Sequence, residues 1–132
     1  MARDKVIVNL PKQDVTQSVE IASFDKTTVT VANGCYIDKA FDNKNNSLVI
    51  IVEPTSADTV TFKKGDKYPN AMLGDLVVMP TANKVNAYLI DDISRFETDQ
   101  NGVSRINIDF GEDFAGSIYA VAKRAGLVPV EN

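Results

Sequence analysis

The chain has 132 residues, 44% of them apolar and 24% charged, which is the composition of one globular domain able to bury roughly two-thirds of its unfolded surface. With 18 acidic and 14 basic side chains the net charge is −4, so no basic field exists for a phosphate backbone and nucleic acid is not an expected partner. The chain has no histidine and one cysteine; the first removes every Ser-His-Asp or Cys-His arrangement and the second excludes an internal disulfide.

The opening run MARDKVIVNL carries charge but no sustained apolar core or cleavage site, so no export signal is expected. No stretch approaches the roughly 18 apolar residues of a spanning helix, so no membrane partner is expected. A weak strand is predicted at Val6–Leu10, within residues 1–15, a possible N-terminal arm ahead of a single domain over 16–132. A mobile arm there would be a docking candidate. A second weak strand is predicted at Val19–Ser23. In TTVTVANG, Val29 and Val31 alternate with Thr28 and Thr30, as a half-buried strand requires.

Cys35, with no His or Lys beside it, reads as a small core residue rather than a nucleophile. Residues 33–46 are rich in turn formers, and DNKNN (Asp42 to Asn46) places Lys44 where an EF-type calcium loop needs a ligand. In SLVIIVEP the run Leu48–Val52 is apolar on both faces, which predicts a central strand covered on both sides and bounded by Pro54. DTVTFKKGD alternates again, with Val60 and Phe62 on one face and Thr59, Thr61 and Lys63 on the other.

The stretch Lys63 to Asp75 holds Gly65, Pro69 and Gly74 and is predicted to be a broad loop, its Lys63, Lys64 and Lys67 forming a local basic patch. Further strands are predicted at Leu76–Met79 and Asn86–Ile90. In ISRFETDQNG, strand geometry would send Arg95 and Phe96 to opposite faces. Phe96 would then enter the core, while Arg95 reaches out or folds over Asp91, Asp92 or Glu97, ahead of a turn at Gly102. RINIDFGED alternates Ile106, Ile108 and Phe110 against Arg105, Asn107 and Asp109. A closing strand is predicted at Ile118–Ala122, although SIYAVAKRAG also fits a short helix ended by Gly126.

About eight or nine short strands with no long amphipathic helix predict an all-β fold, an antiparallel β-sandwich of Ig-like or jelly-roll-like type. Chemistry is sparse. Asp109, Glu112 and Asp113 in DFGED and the adjacent Asp91 and Asp92 read as solvated turns; neither shows a carboxylate pair set across a cleft. No glycine pattern cradles phosphate. No catalytic residue, metal ligand or cofactor is expected. Structural roles fall to Phe96, Gly65, Gly74 and Gly102, and partner contacts to Arg95, Lys63, Lys64 and Lys67.

Four segments in order, TVTFKKGD (Thr59 to Asp66), GDLVVMP (Gly74 to Pro80), ISRFETDQNG (Ile93 to Gly102) and GSIYAVAKR (Gly116 to Arg124), resemble those of head-decoration or minor capsid proteins of tailed bacteriophages. The resemblance spans roughly residues 46 to 124. It implies a non-enzymatic virion structural protein that binds an assembled capsid, as an oligomer or in several copies, made in the bacterial host cytoplasm. A surface or glycan-binding module of adhesin or receptor-binding type is the alternative. It would bring tyrosines from distant segments into one groove and place a cation near Asp109 and Asp113.

Overall fold

The computed structural model describes residues 3–9, 24–38, 48–67, 69–90, 93–100 and 103–122. The strand expected at Val19–Ser23, the DNKNN turn, Asp91, Asp92, Gly102, Tyr68 and residues 10–15 of the expected arm lie outside that set.

The described residues form an all-β fold of two sheets packed together. Eleven short strands are described: β1 (Asp4–Lys5), β2 (Val8–Asn9), β3 (Thr27–Thr28), β4 (Cys35–Asp38), β5 (Leu48–Ser56), β6 (Val60–Phe62), β7 (Leu76–Val78), β8 (Asn86–Ile90), β9 (Glu97–Gln100), β10 (Val103–Phe110) and β11 (Ala115–Val121). The first sheet runs β1-β4-β10-β6-β7, with β9 also paired to β10; the second runs β2-β11-β5-β8, with β3 also paired to β11.

The sheets are not purely antiparallel, because β1 pairs parallel with β4 and β2 pairs parallel with β11. The cause is one extended segment, residues 4–9, that lies first along one sheet and then along the other. Val6 N–H bonds the Tyr36 carbonyl of the first sheet and Ala120 N–H bonds the Ile7 carbonyl in the second. Val6 sits at the crossing and is fully buried. Parallel partners need a long connection, and the distance in sequence from this segment to β4 and β11 supplies it.

Alternation decides which side chains meet. Ile37, Val60, Phe62, Ile106 and Ile108 of the first sheet face Leu48, Ile50, Val52, Ile118 and Ala120 of the second. Phe62 links the layers, its ring 6.0 Å from Tyr88 of β8 and 6.1 Å from Phe96. The expectation for Leu48–Val52 is met: β5 lies between β11 and β8, and Ile51 on its outer face is buried beside its cross-strand partner Tyr119. Pro54 does not end the strand. It pairs with Gly116 next to a bulge at Ala115/Gly116, a place where a residue without N–H is tolerated.

Residues 115–121 form a strand and not a helix. In TTVTVANG, only Thr27 and Thr28 form a strand. Val29 and Val31 still pack on the core, but the chain turns at 31–33 into Gly34, whose φ is +67°. The four-residue strand that follows, Cys35–Asp38, fell inside the turn-rich stretch and was not expected.

Cys35 is fully buried. Burial, helped by nearby Asp4 and opposed by Arg3, pushes its thiol up to about 12 from 9.0. The folded thiol holds its proton more tightly than the unfolded one. Its contribution to stability is therefore constant below pH 9.0 and declines as pH rises through about 12. A thiol reagent at pH 8 is expected to leave the folded protein unmodified and to label it stoichiometrically in denaturant, followed by mass spectrometry; rapid labelling of the folded chain would contradict this placement.

Candidate functional site

The connection from β6 to β7 is built by backbone first. After Phe62 the chain leaves β10 with one last bond, Lys63 N–H to the Asn107 carbonyl at 2.9 Å. It then steps onto the far edge of the 95–97 segment, with Gly65 N–H to the Arg95 carbonyl (2.8 Å) and Asp66 N–H to the Glu97 carbonyl (3.0 Å). A Cβ on Gly65 would stand 2.0 Å from the Glu97 carbonyl oxygen, so the approach requires glycine. A 3-10 turn follows at Asn70–Leu73 and closes at Gly74, whose φ of 80° suits a residue without a Cβ.

Arg95 braces this turn. A helical end leaves carbonyls without partners, and here the guanidinium supplies donors: Nε to the Gly74 oxygen at 3.0 Å, Nη2 to the Leu73 and Asp75 oxygens at 3.4 and 3.3 Å. It also lies 5.0 Å from the centre of the Phe96 ring. Arg95 and Phe96 are therefore not alternating strand residues. Arg95 ends a short 3-10 turn, Ile93–Arg95, Phe96 bonds back to Ile93, and the cation reaches carbonyls across the loop instead of Glu97. Phe96 does enter the core.

Two of the three lysines are ion-paired, while Lys64 is exposed and contributes its backbone N–H. The Asp75 carboxylate accepts Lys64 N–H at 2.7 Å and Lys63 Nζ at 3.1 Å, and these bonds hold it below the usual carboxylate range. Lys67 bonds Asp99 at 2.8 Å and lies 3.6 Å from Asp66. Lys63 and Lys67 thus pair with Asp75, Asp66 and Asp99, which leaves Lys64 as the exposed cation of the group.

What this scaffold presents is apolar. Met72 and Leu73, at the tip of the braced turn, are 74% and 67% exposed. The chain runs from them directly into β7, where Val77 and the following Met79 are exposed as well. Among the described strands β7 pairs only with β6, which leaves its other edge without a described partner. From Leu76 to Ile90 the only formal charge is Lys84, whereas exposed edges in soluble proteins are usually guarded by several charges. Apolar side chains exposed on a rigid support are the ordinary makings of a protein contact.

Sequence reasoning placed Gly65, Gly74, Lys63, Lys64 and Lys67 in one loop, and the structure adds Arg95 to that group. It missed Met72 and Leu73. The available signal was an apolar pair in a loop bounded by Pro69 and Gly74, where no strand alternation accounts for it. The other candidates lie apart. Asp109 is bonded to Arg3 at 2.6 Å, while the Asp113 N–H is held by the Asp58 carboxylate in the turn after β10. Among the described residues no three His, Cys, Asp or Glu side chains are grouped to hold a metal. Tyr36 lies on the outer face of the first sheet, Tyr88 packs inward, and Tyr119 is buried on the outer side of the second, so the described tyrosines form no common groove. No described helix is long and apolar enough to cross a membrane.

Replacing Arg95 with alanine removes all three bonds to the turn. The loss is expected to be about 1–2 kcal/mol, with the guanidinium half-exposed, and the Gly74 amide, bonded to the Ala71 carbonyl, should exchange with solvent at least tenfold faster. Hydrogen exchange followed by NMR reads this directly; unchanged protection would mean that the backbone holds the turn alone.

Comparison with protein-family models, with curated proteins and with solved structures finds no match to this chain.

Proposed function

We propose that this chain is a non-enzymatic structural protein of a tailed-bacteriophage virion that decorates or stabilises the capsid head. The observation that carries the docking part of this reading is the braced Met72–Leu73 tip running into the exposed Val77 of β7, a strand with one described neighbour, and the exposed Met79 that follows it. The phage part rests on the four ordered segments between residues 59 and 124. On this reading the Ig-like or jelly-roll-like sandwich supplies a stiff platform, several copies bind the shell, and assembly takes place in the host cytoplasm. Met72 and Leu73 are the anchors, while Arg95, Lys63, Lys64 and Lys67 act mainly by holding the turn that presents them.

Co-sedimentation with purified heads of the phage whose genome carries the gene tests the proposal. The native chain should bind saturably, and the double variant Met72→Asp/Leu73→Asp should lose at least tenfold in affinity with an unchanged melting temperature. Absence of saturable binding by the native chain, or undiminished binding by the variant, would reject the proposal.

A further inference from the structure

We infer that Arg105 is a carboxylate-binding residue on the outer face of the first sheet, poised to take an acidic side chain of a partner protein. The face is set by register. Arg105 of β10 lies across from Asp38 of β4 on one side and Thr98 of β9 on the other, and Asn107 lies across from Tyr36. The Arg105 guanidinium carbon stands 4.0 Å from the centre of the Tyr36 ring. Stacking on an aromatic ring fixes the plane of the cation while leaving its N–H groups available.

The described arginines use those groups differently. Arg3 donates to the Asp109 carboxylate and to two carbonyls, and Arg95 donates to three carbonyls. Arg105 makes no hydrogen bond or ion pair among the described residues. Its Nε is sealed from solvent without a partner, as is Asn107 Oδ1 two residues along the same face, whereas its terminal nitrogens are not sealed. Natural structures rarely leave such groups unpaired, and each exception calls for a physical cause, a bound water or ion among them. An end-on approach to the two terminal nitrogens is the one the burial leaves open.

Nearby charges choose the ligand. The nearest carboxylates have other cations: Asp38 lies 3.8 Å from Lys5, Asp109 is bonded to Arg3, and Asp66, which accepts from Thr98, lies 3.6 Å from Lys67. A singly charged, planar group with two oxygens matches the guanidinium fork. A doubly charged phosphate would meet more repulsion than a single carboxylate from a chain of net charge −4. This inference rests on the docking reading only for the source of the carboxylate; the site itself stands or falls separately.

The test follows the Nε–Hε signals of the full-length protein by NMR, with Arg105 assigned by the signal lost in Arg105→Lys. Sodium acetate is titrated against sodium chloride at equal ionic strength, followed by sodium phosphate and a blocked Gly-Glu repeat peptide. Acetate and peptide should shift Arg105 saturably while Arg3 and Arg95 stay still. Tyr36→Leu should weaken the response by roughly threefold or more, and Arg105→Lys should weaken peptide binding comparably. Equal shifts with chloride, equal shifts at Arg3 and Arg95, or tighter binding of phosphate than of acetate would overturn the assignment. Failure of capsid sedimentation with this titration intact would reject the partner and keep the site.

Discussion

Phe62→Ala is expected to destabilise the fold by about 3–5 kcal/mol, a large fraction of the stability of an ordinary domain. Phe62 is fully buried on β6 and is the point where the layers touch through aromatic rings, with Tyr88 from β8 on one side and Phe96 on the other. Truncation leaves a cavity that backbone on neither side can close, since β6 is held between β10 and β7. Phe62→Leu keeps most of the volume and should cost less than half as much. Urea titration followed by circular dichroism measures both; a loss below about 1 kcal/mol for alanine would show that the two sheets do not share this core.

Gly65→Ala is expected to cost about 3 kcal/mol despite adding a single methyl group to a loop. That methyl would fall 2.0 Å from the Glu97 carbonyl oxygen and 2.5 Å from its carbon, and backbone cannot swing aside as a side-chain tip does. Relief requires separating the Lys63–Asp66 segment from residues 95–97, which breaks the bonds from Gly65 to Arg95 and from Asp66 to Glu97. Gly74→Ala is the control. Its φ of 80° is strained for alanine, but nothing lies within 4 Å of the added carbon, so about 1 kcal/mol is expected. Similar losses at the two positions would mean that the close approach at Gly65 is not a constraint.

Much of this fold is legible in local pattern. The alternation in DTVTF and RINIDF assigned Val60, Phe62, Ile106 and Ile108 to the core correctly, because a strand's side chains must take opposite faces whatever their neighbours are. The run Leu48–Val52 announced a strand covered on both sides for the same reason. Pattern fails where geometry depends on residues distant in sequence. Nothing in residues 4–9 states that one extended segment will serve two sheets, since its partners lie near residues 36 and 120.

The site divides in the same way. Glycines and lysines marked the loop at 63–75, but the alternation rule placed Arg95 on a strand. It sits instead on a 3-10 turn, and its acceptors lie 20 to 22 residues upstream at the end of another. Arg105 was assigned to the outer face of β10, yet its lack of hydrogen-bond partners among the described residues is a property of the assembled face and has no local signature.

The most direct test of the central claim, that this protein works by offering a surface to a neighbour, is a hydrogen-exchange footprint of the chain bound to intact heads. Protection should appear at residues 71–79 and on the outer face around Thr98 and Arg105, with the outer face of the second sheet unchanged. Protection confined to the second sheet, or a bound chain with no protected surface at all, would contradict the account.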